Sequence, residues 1–546
     1  MKKVFLALCY LVIISSCKEK KGDNNNSDKT KTESEKKISK RDYSINATNA
    51  YSDIFFDSLQ LEEYFISQKL SDTLIRRMRS FYNARNFQFA WFDSHGLNYQ
   101  AFNFWNLHEY YTTYSNDQAF NDKNLRNKMN YLVADENIKV KGSDKNYIKT
   151  ELTLTHHFIS YMLANYKNGE IKRKEMERFI PLKKQDALFI ADSLLTKKHK
   201  DNKYYSDVNE PYKLLKVELQ KYYTIAKNNG WPIVNAKTGS LKKGTIASDV
   251  VLLKQRLKIS GEMPAGDTSD LFNEGLENAV KLFQKAHGLS ATGIVTADLL
   301  KELNVTAMQR LQQLLINMDR MRWVLNHTEG NLIEVNIPEF IIHVFEGKKE
   351  AFNMPVVVGK EGHNTTIFTG NLNQVVFSPY WNVTPSIIAK EILPALQNNP
   401  NYLEKNNMEQ TGVDENGLPV IRQLPGPKNS LGKVKFLFPN SYNIYFHDTP
   451  AKDLFNMDKR AYSHGCIRLS NPTKMANYLL RNQKEWTPQR IEEAMNSGVE
   501  QVVRLKPVVP VLITYYTAWV GADGVLNFRG DIYKHDAELK RKMFLN

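Results

Sequence analysis

Near its C-terminal end the chain reads Tyr462-Ser463-His464-Gly465-Cys466-Ile467-Arg468-Leu469, and a run before it reads Tyr442-Asn443-Ile444-Tyr445-Phe446-His447-Asp448. Taken alone, Cys466 is a nucleophile, a metal ligand, half of a disulfide or a buried apolar residue. A free thiol titrates near pH 8.5, roughly, so it needs a base beside it to act near neutral pH. If residues 442–447 form a strand, Tyr445 and His447 point to one face, and the loop to Cys466 is long enough to return the thiol beside them. His447 is therefore the candidate base, with His464 flanking the nucleophile. Gly465 gives the backbone room to approach a carbonyl. The N–H groups of Gly465 and Cys466 are candidate oxyanion donors, with Ser463 and His464 in the same region. Arg468 shares a face with Cys466 in extended structure and offers a planar fork to a substrate carboxylate; Tyr445 joins it as a substrate-binding candidate. Together these are the parts of acyl transfer.

The other two cysteines bear on that reading. The chain begins Met-Lys-Lys, runs apolar from Val4 to Ile14, and reaches Ser15-Ser16-Cys17. The apolar run is too short to span a bilayer comfortably. The pattern resembles a bacterial lipoprotein signal, which implies removal of residues 1–16 with Cys9 and lipidation of Cys17. Cys466 is then the only free thiol, and an intrachain disulfide is impossible. Residues 17–50 are nearly devoid of apolar side chains and read as a disordered tether. The reading expects an exported protein, lipid-anchored on the periplasmic side of a bacterial membrane. The formal net charge of +15 suits nucleic acid, anionic membranes or acidic polymers. With no zinc-knuckle or RNA-binding aromatic signature, nucleic acid is not expected.

The elements that must position these residues follow from periodicity. Residues 51–240 show apolar spacing of three and four and read as a helical scaffold. Residues 245–304 form a three-helix module: Ser248 or Asp249 caps a stripe of Val250, Leu253 and Leu257 that stops at Gly261; Leu276, Val280 and Phe283 line the next helix up to Gly288; Thr296 caps the third. A connecting helix occupies 305–330. Residues 331–505 are rich in β-branched and aromatic residues with glycine turns and read as strands, interrupted by an insert at about 385–432. Asn471-Pro472 opens a helix. Residues 506–546 read as a separate C-terminal strand segment with an Asp-Gly turn.

The stretch from His447 through Ala461–Leu469 resembles the signature of L,D-transpeptidases, cysteine enzymes that cross-link bacterial peptidoglycan. The runs PYWNVTPSI, RQLPGPKNSLG, KFLFPN, IYFHDTP and FRGDIY resemble the large Gram-negative subgroup, and AVKLFQKAHGLSATG resembles its peptidoglycan-binding module. The resemblance implies a multidomain α+β chain: a mainly β L,D-transpeptidase catalytic domain with a capping insert, a helical scaffold and a three-helix peptidoglycan-binding-like module. It implies a Cys466 thioester formed on tetrapeptide stems, resolved by a diaminopimelate amine to give 3–3 cross-links, with acylation by carbapenems. It implies peptidoglycan stem peptides as substrate, other cell-wall enzymes as partners, and no cofactor or metal. In this family the residue after the base often orients it; here that residue is Asp448, which leaves the third member open. Some members have Asn where this chain has Arg468. Three other readings stand beside it: an L,D-carboxypeptidase or protein-anchoring enzyme using the same acyl-enzyme, a zinc hydrolase built on His447, His464 and Cys466, and a non-catalytic wall-binding lipoprotein.

Overall fold

The computed structural model describes residues 38–115, 118–134, 138–165, 179–196, 209–235, 239–323 and 330–545. The leader read at 1–16, Cys17 and the tether as far as residue 37 lie outside the described residues; the tether reading is corrected for 38–50, where Ile45 and Ala50 are buried and the Asp42 N–H donates to the Asn83 carbonyl at 2.9 Å.

The N-terminal unit is helical around an aromatic core. Helix α1 (Asp72–Ala84) starts on Ser71, whose side chain accepts the Leu74 N–H. Helices α2 (Tyr99–Ser115) and α3 (Lys145–Asn165) follow. Phe81, Trp91, Phe104 and Phe158 are buried together between them, rings meeting edge-on or tilted as their quadrupoles favour.

The module consists of α4 (Ser248–Ser260), α5 (Glu274–Ala286) and α6 (Ala297–Leu303). Its buried stripe is Val250, Leu253, Leu257, Leu276, Val280 and Phe283, with Leu299 from the third helix. Thr296 caps α6, and Gly261 closes α4 at φ +98°. The cap of α4 differs from expectation: Ser248 is already helical, and Ala247 holds the cap position without a side-chain bond. The module is docked onto the catalytic unit, where Ser290 Oγ donates to Asp458 Oδ1 at 2.7 Å and Arg529 Nη1 donates to the Ala286 carbonyl at 2.9 Å. Helix α7 (Ala307–Met321) opens with a capping box of Thr306 and Gln309.

Nine strands build the catalytic unit: β1 (Asn331–Asn336), β2 (Ile341–Glu346), β3 (Lys349–Gly359), β4 (Thr369–Phe377), β5 (Val434–Leu437), β6 (Phe446–His447), β7 (Ala461–Ser463), β8 (Ile467–Leu469) and β9 (Gln501–Thr514). Their spatial order is β7-β3-β8-β6-β5-β4-β9-β1-β2, and β2 pairs back onto β3, so the sheet closes on itself. The enclosed core holds Ile333, Val335, Ile342, Val356, Phe446 and Ile467. Helix α8 (Pro472–Leu480) starts on Asn471, whose side chain accepts the Lys474 N–H at 3.0 Å, and buries Met475 and Leu479 against the strands. The insert between β4 and β5 has its own small sheet, with strands Met408–Val413 and Pro419–Gln423, and a core of Val383, Ile388, Ile392 and Ile421.

The boundary drawn at residue 505 falls inside β9 and is corrected. The strand accommodates Pro507 in a register shift between Arg504 and Val509, then resumes and pairs Val511–Thr514 with β1. Beyond it a short hairpin, Ala518–Val520 with Leu526–Phe528, turns at Asp523-Gly524 as the dipeptide predicts.

One ion cluster gives the barrel a pH signature. His343 on β2 lies 3.2 Å from Glu339 and 3.2 Å from Glu350, one carboxylate at each ring nitrogen. Burial pulls its pKa down, but Glu339, Glu334 and Glu350 outweigh that and raise it to about 9. A raised folded-state pKa stabilises fully below the unfolded value, roughly 6.5, and that contribution fades as pH rises through about 9. The thermal midpoint is therefore expected to fall between pH 7 and 9, and His343→Gln to flatten that fall. Parallel curves for the two proteins in this window would refute the assignment.

Candidate active site

Strands β6 and β8 run parallel, with Phe446 opposite Ile467 and His447 opposite Arg468. One step earlier the Ile467 N–H donates to the Tyr445 carbonyl at 3.1 Å, which sets Tyr445 beside Cys466. Phe446, Ile467 and Leu469 are fully buried inward. The alternating residues Tyr445, His447, Cys466 and Arg468 therefore share the opposite face. The Tyr445 and His447 rings are 5.8 Å apart.

His447 is held in one tautomer. Its Nδ1 lies 2.5 Å from the Asp448 carbonyl oxygen, so Nδ1–H donates and Nε2 is left as the proton acceptor. The orienting group is the backbone carbonyl. The Asp448 carboxylate is occupied elsewhere, accepting from the Lys433 N–H at 2.9 Å and from Lys452 Nζ at 2.6 Å. Burial, reinforced by the Arg468 charge, pushes the His447 pKa down to about 3.

Cys466 is half-buried, and its Sγ is 3.5 Å from the carbonyl oxygen of Asn443, a residue at φ +55°. Burial pushes the thiol up to about 11, against opposing contacts from Tyr445 and the charge of Arg468. The resting pair is thus a neutral thiol and a neutral imidazole, with the proton still on sulfur. Alkylation by iodoacetamide, which needs the thiolate, is expected to be slow at pH 7. Its rate should rise about tenfold per pH unit through the alkaline range. A plateau reached by pH 8 would contradict the neutral resting pair.

The turn carrying the nucleophile departs from expectation in one respect. Gly465 sits at φ +109°, a conformation that favours glycine. Its N–H donates to Ser463 Oγ at 3.2 Å, and Ser463 Oγ donates to the Cys466 carbonyl at 2.5 Å. The Gly465 N–H is therefore committed to the turn rather than aimed at an oxyanion. Ser463 is buried within the turn and ties it together. His464 faces the insert: its Nε2 is 2.7 Å from Glu391 Oε1, and its ring centroid is 4.9 Å from that of His363. Among the described residues no group of three or more His, Cys, Asp or Glu is arranged to hold a metal ion. Arg468 is half-buried, with its Nε enclosed and without a hydrogen-bond acceptor.

Three positioning residues escaped the sequence reading. Thr365 Oγ1 accepts the Gly359 N–H at 2.9 Å and donates to the Gly465 carbonyl at 2.7 Å. Tyr533 donates its hydroxyl to the Gly359 carbonyl at 2.5 Å and accepts from the Thr365 N–H at 3.3 Å. Asp531 accepts from Tyr515, whose hydroxyl in turn accepts the Tyr533 N–H at 2.9 Å. Gly359 must stay bare, since a Cβ there would come within 2.0 Å of the His363 carbonyl oxygen. FRGDIY hinted at Asp531 and Tyr533 only through likeness; Thr365 had no signal.

Residues 330–503 match the model of the L,D-transpeptidase catalytic domain. This unit belongs to the L,D-transpeptidase family. Residues 247–303 match a "Putative peptidoglycan binding domain" and residues 76–219 a scaffold domain. The chain is thus a multidomain α+β protein with a mainly β L,D-transpeptidase domain behind helical units. It is similar to a "Putative L,D-transpeptidase" of Haemophilus influenzae, 30% identical over 254 residues, which are 44% of this chain and 50% of that protein. The chain thus spans about half the length of this relative. A solved L,D-transpeptidase from Mycobacterium smegmatis is 15% identical over 34% of this chain and 58% of its own, with a TM-score of 0.19. One from Stackebrandtia nassauensis is 15% identical over 45% and 90%, with a TM-score of 0.20.

Proposed function

We propose that this L,D-transpeptidase domain forms 3–3 peptidoglycan cross-links through a thioester on Cys466. The observation that carries the reading is the shared strand face, which gathers thiol, oriented imidazole and a guanidinium whose Nε has no partner among the described residues. As Sγ attacks the carbonyl before the terminal D-Ala of a tetrapeptide stem, His447 Nε2 takes the thiol proton. The C–S bond forms, the carbonyl becomes an oxyanion, and the Cys466 N–H is its candidate donor. Collapse breaks the C–N bond, and D-Ala leaves with the proton from His447. The side-chain amine of a second stem's diaminopimelate then attacks the thioester and gives a proton to His447, which returns it to sulfur. Arg468 anchors a stem carboxylate; Tyr445 walls the same face. Carbapenems would acylate the same sulfur.

The same reading puts the chain on the periplasmic side of a bacterial membrane through lipid on Cys17, working with other cell-wall enzymes. The basic charge suits a wall rich in carboxylates. The test is incubation of the folded protein with tetrapeptide muropeptides and mass spectrometry of the products. D-Ala release with a dimer joined between two diaminopimelates is expected. Tripeptide alone would make it an L,D-carboxypeptidase. No change with folded protein would favour a wall-binding role without turnover.

A further inference from the structure

The scaffold meets the catalytic sheet along a seam that no step above uses. Asn106 of α2 donates from Nδ2 to the Ile367 carbonyl at 2.8 Å, and Thr369 Oγ1 donates to the Asn106 carbonyl at 3.3 Å. The outer part of this seam is a cleft of about 340 Å³ bordered by Asn106, Asn130, Asn371, Asn373, Asn440 and Ser441. Glu109 at its edge is paired with Arg126 at 3.0 Å. Asn373 Oδ1 is enclosed without a partner. The seam continues inward to a cavity of about 50 Å³ that shares Asn106, Phe368 and Thr369 with the cleft.

Three hydrogen-bond donors on residues bordering that inner cavity lack an acceptor among the described residues: Asn103 Nδ2, Arg320 Nη2 and Trp323 Nε1. All three residues are more than nine-tenths buried. Burying a donor without an acceptor is costly, and folded proteins rarely leave one unfilled. The other walls include Leu107, Ile367, Leu512 and Ile513. Asp536 already balances the charge of Arg320, which argues against a bare anion. An acceptor oxygen carried on a small apolar group fits both features, and Asn373 Oδ1 in the cleft outside suits a hydroxyl donor.

We propose that this seam binds the glycan strand of peptidoglycan, with an N-acetyl group in the inner cavity and a sugar hydroxyl donating to Asn373 Oδ1 in the cleft. The inference rests on the proposed substrate. Asn440 at the cleft lies three residues before Asn443, whose carbonyl meets the Cys466 thiol.

The test is calorimetric titration of the full chain with a peptide-free GlcNAc–MurNAc oligosaccharide and with its de-N-acetylated form, alongside turnover of free tetrapeptide. Binding only of the acetylated form is expected, weakened roughly tenfold by Asn103→Leu and by Asn373→Leu, with thermal midpoints checked. If Asn103→Leu does not fold, Asn373→Leu at the cleft is read alone. No binding, equal binding of both forms, or binding untouched by the variants would overturn the inference; the last would assign the sugar to the α4–α6 module. Turnover without seam binding leaves the proposed function standing, whereas seam binding without turnover removes the function and keeps the site.

Discussion

Cys466→Ala is expected to abolish acyl transfer, a loss of at least about 10⁴-fold, because removing a nucleophile disables the whole catalytic unit. The cleanest readout is intact mass after exposure to a carbapenem. Wild-type protein should gain a single adduct, localised to the peptide containing Cys466, and the variant none. Cys466 is the sole free cysteine among the described residues, so an adduct surviving in the variant would move the nucleophile elsewhere and sink the mechanism. Because the turn is built by Ser463, Gly465 and Thr365 through backbone and hydroxyl contacts, the variant should fold normally.

His447→Gln is expected to slow acylation by about 10²–10⁴-fold, the usual weight of a positioned general base. The neutral resting pair adds a pH signature. With His447 depressed to about 3, the base stays unprotonated across the physiological range, so the wild-type acylation rate should show no acid limb centred near pH 6.5. The variant, lacking the base, should recover only as hydroxide forms the thiolate, rising with pH toward about 11. Stopped-flow acylation from pH 5 to 9 measures both. A wild-type limb near pH 6.5 would refute the depressed His447 pKa, and a variant within threefold or so of wild type would mean that His447 does not take the proton.

What the sequence made legible was local. Cys466, Gly465 and Arg468 are neighbours in the chain, and strand alternation was enough to set Tyr445 with His447 on one face. The helices of the module were readable because Val250, Leu253 and Leu257 repeat at helical spacing. Contacts between distant segments were not readable. Nothing near Thr365 announces that its hydroxyl bridges Gly359 to Gly465, and nothing near Glu391 points to His464. Ser463 was legible only as a neighbour of the nucleophile; its part as a buried brace of the turn depends on bonds to the Gly465 N–H and the Cys466 carbonyl that sequence does not display. Asp448 was ambiguous because sequence displays its side chain, and the part facing His447 is its carbonyl. The boundary at 505 failed because a register shift that admits a proline has no composition of its own.

The bracing of the nucleophile turn by Tyr533 has a temporal consequence. Thr365 grips Gly465 only where Gly359 and Tyr533 hold Thr365, and Tyr533 lies far downstream of Cys466 in the order of synthesis. A polypeptide still emerging from the ribosome, or one clipped ahead of residue 531, would carry the thiol, the imidazole and the guanidinium yet lack the clasp that seats them. Competence would arrive only once residues 531–533 are in place. A truncation ending at residue 530 should therefore resist carbapenem labelling even when its strands have formed; full labelling of that truncated chain would show that the clasp is dispensable.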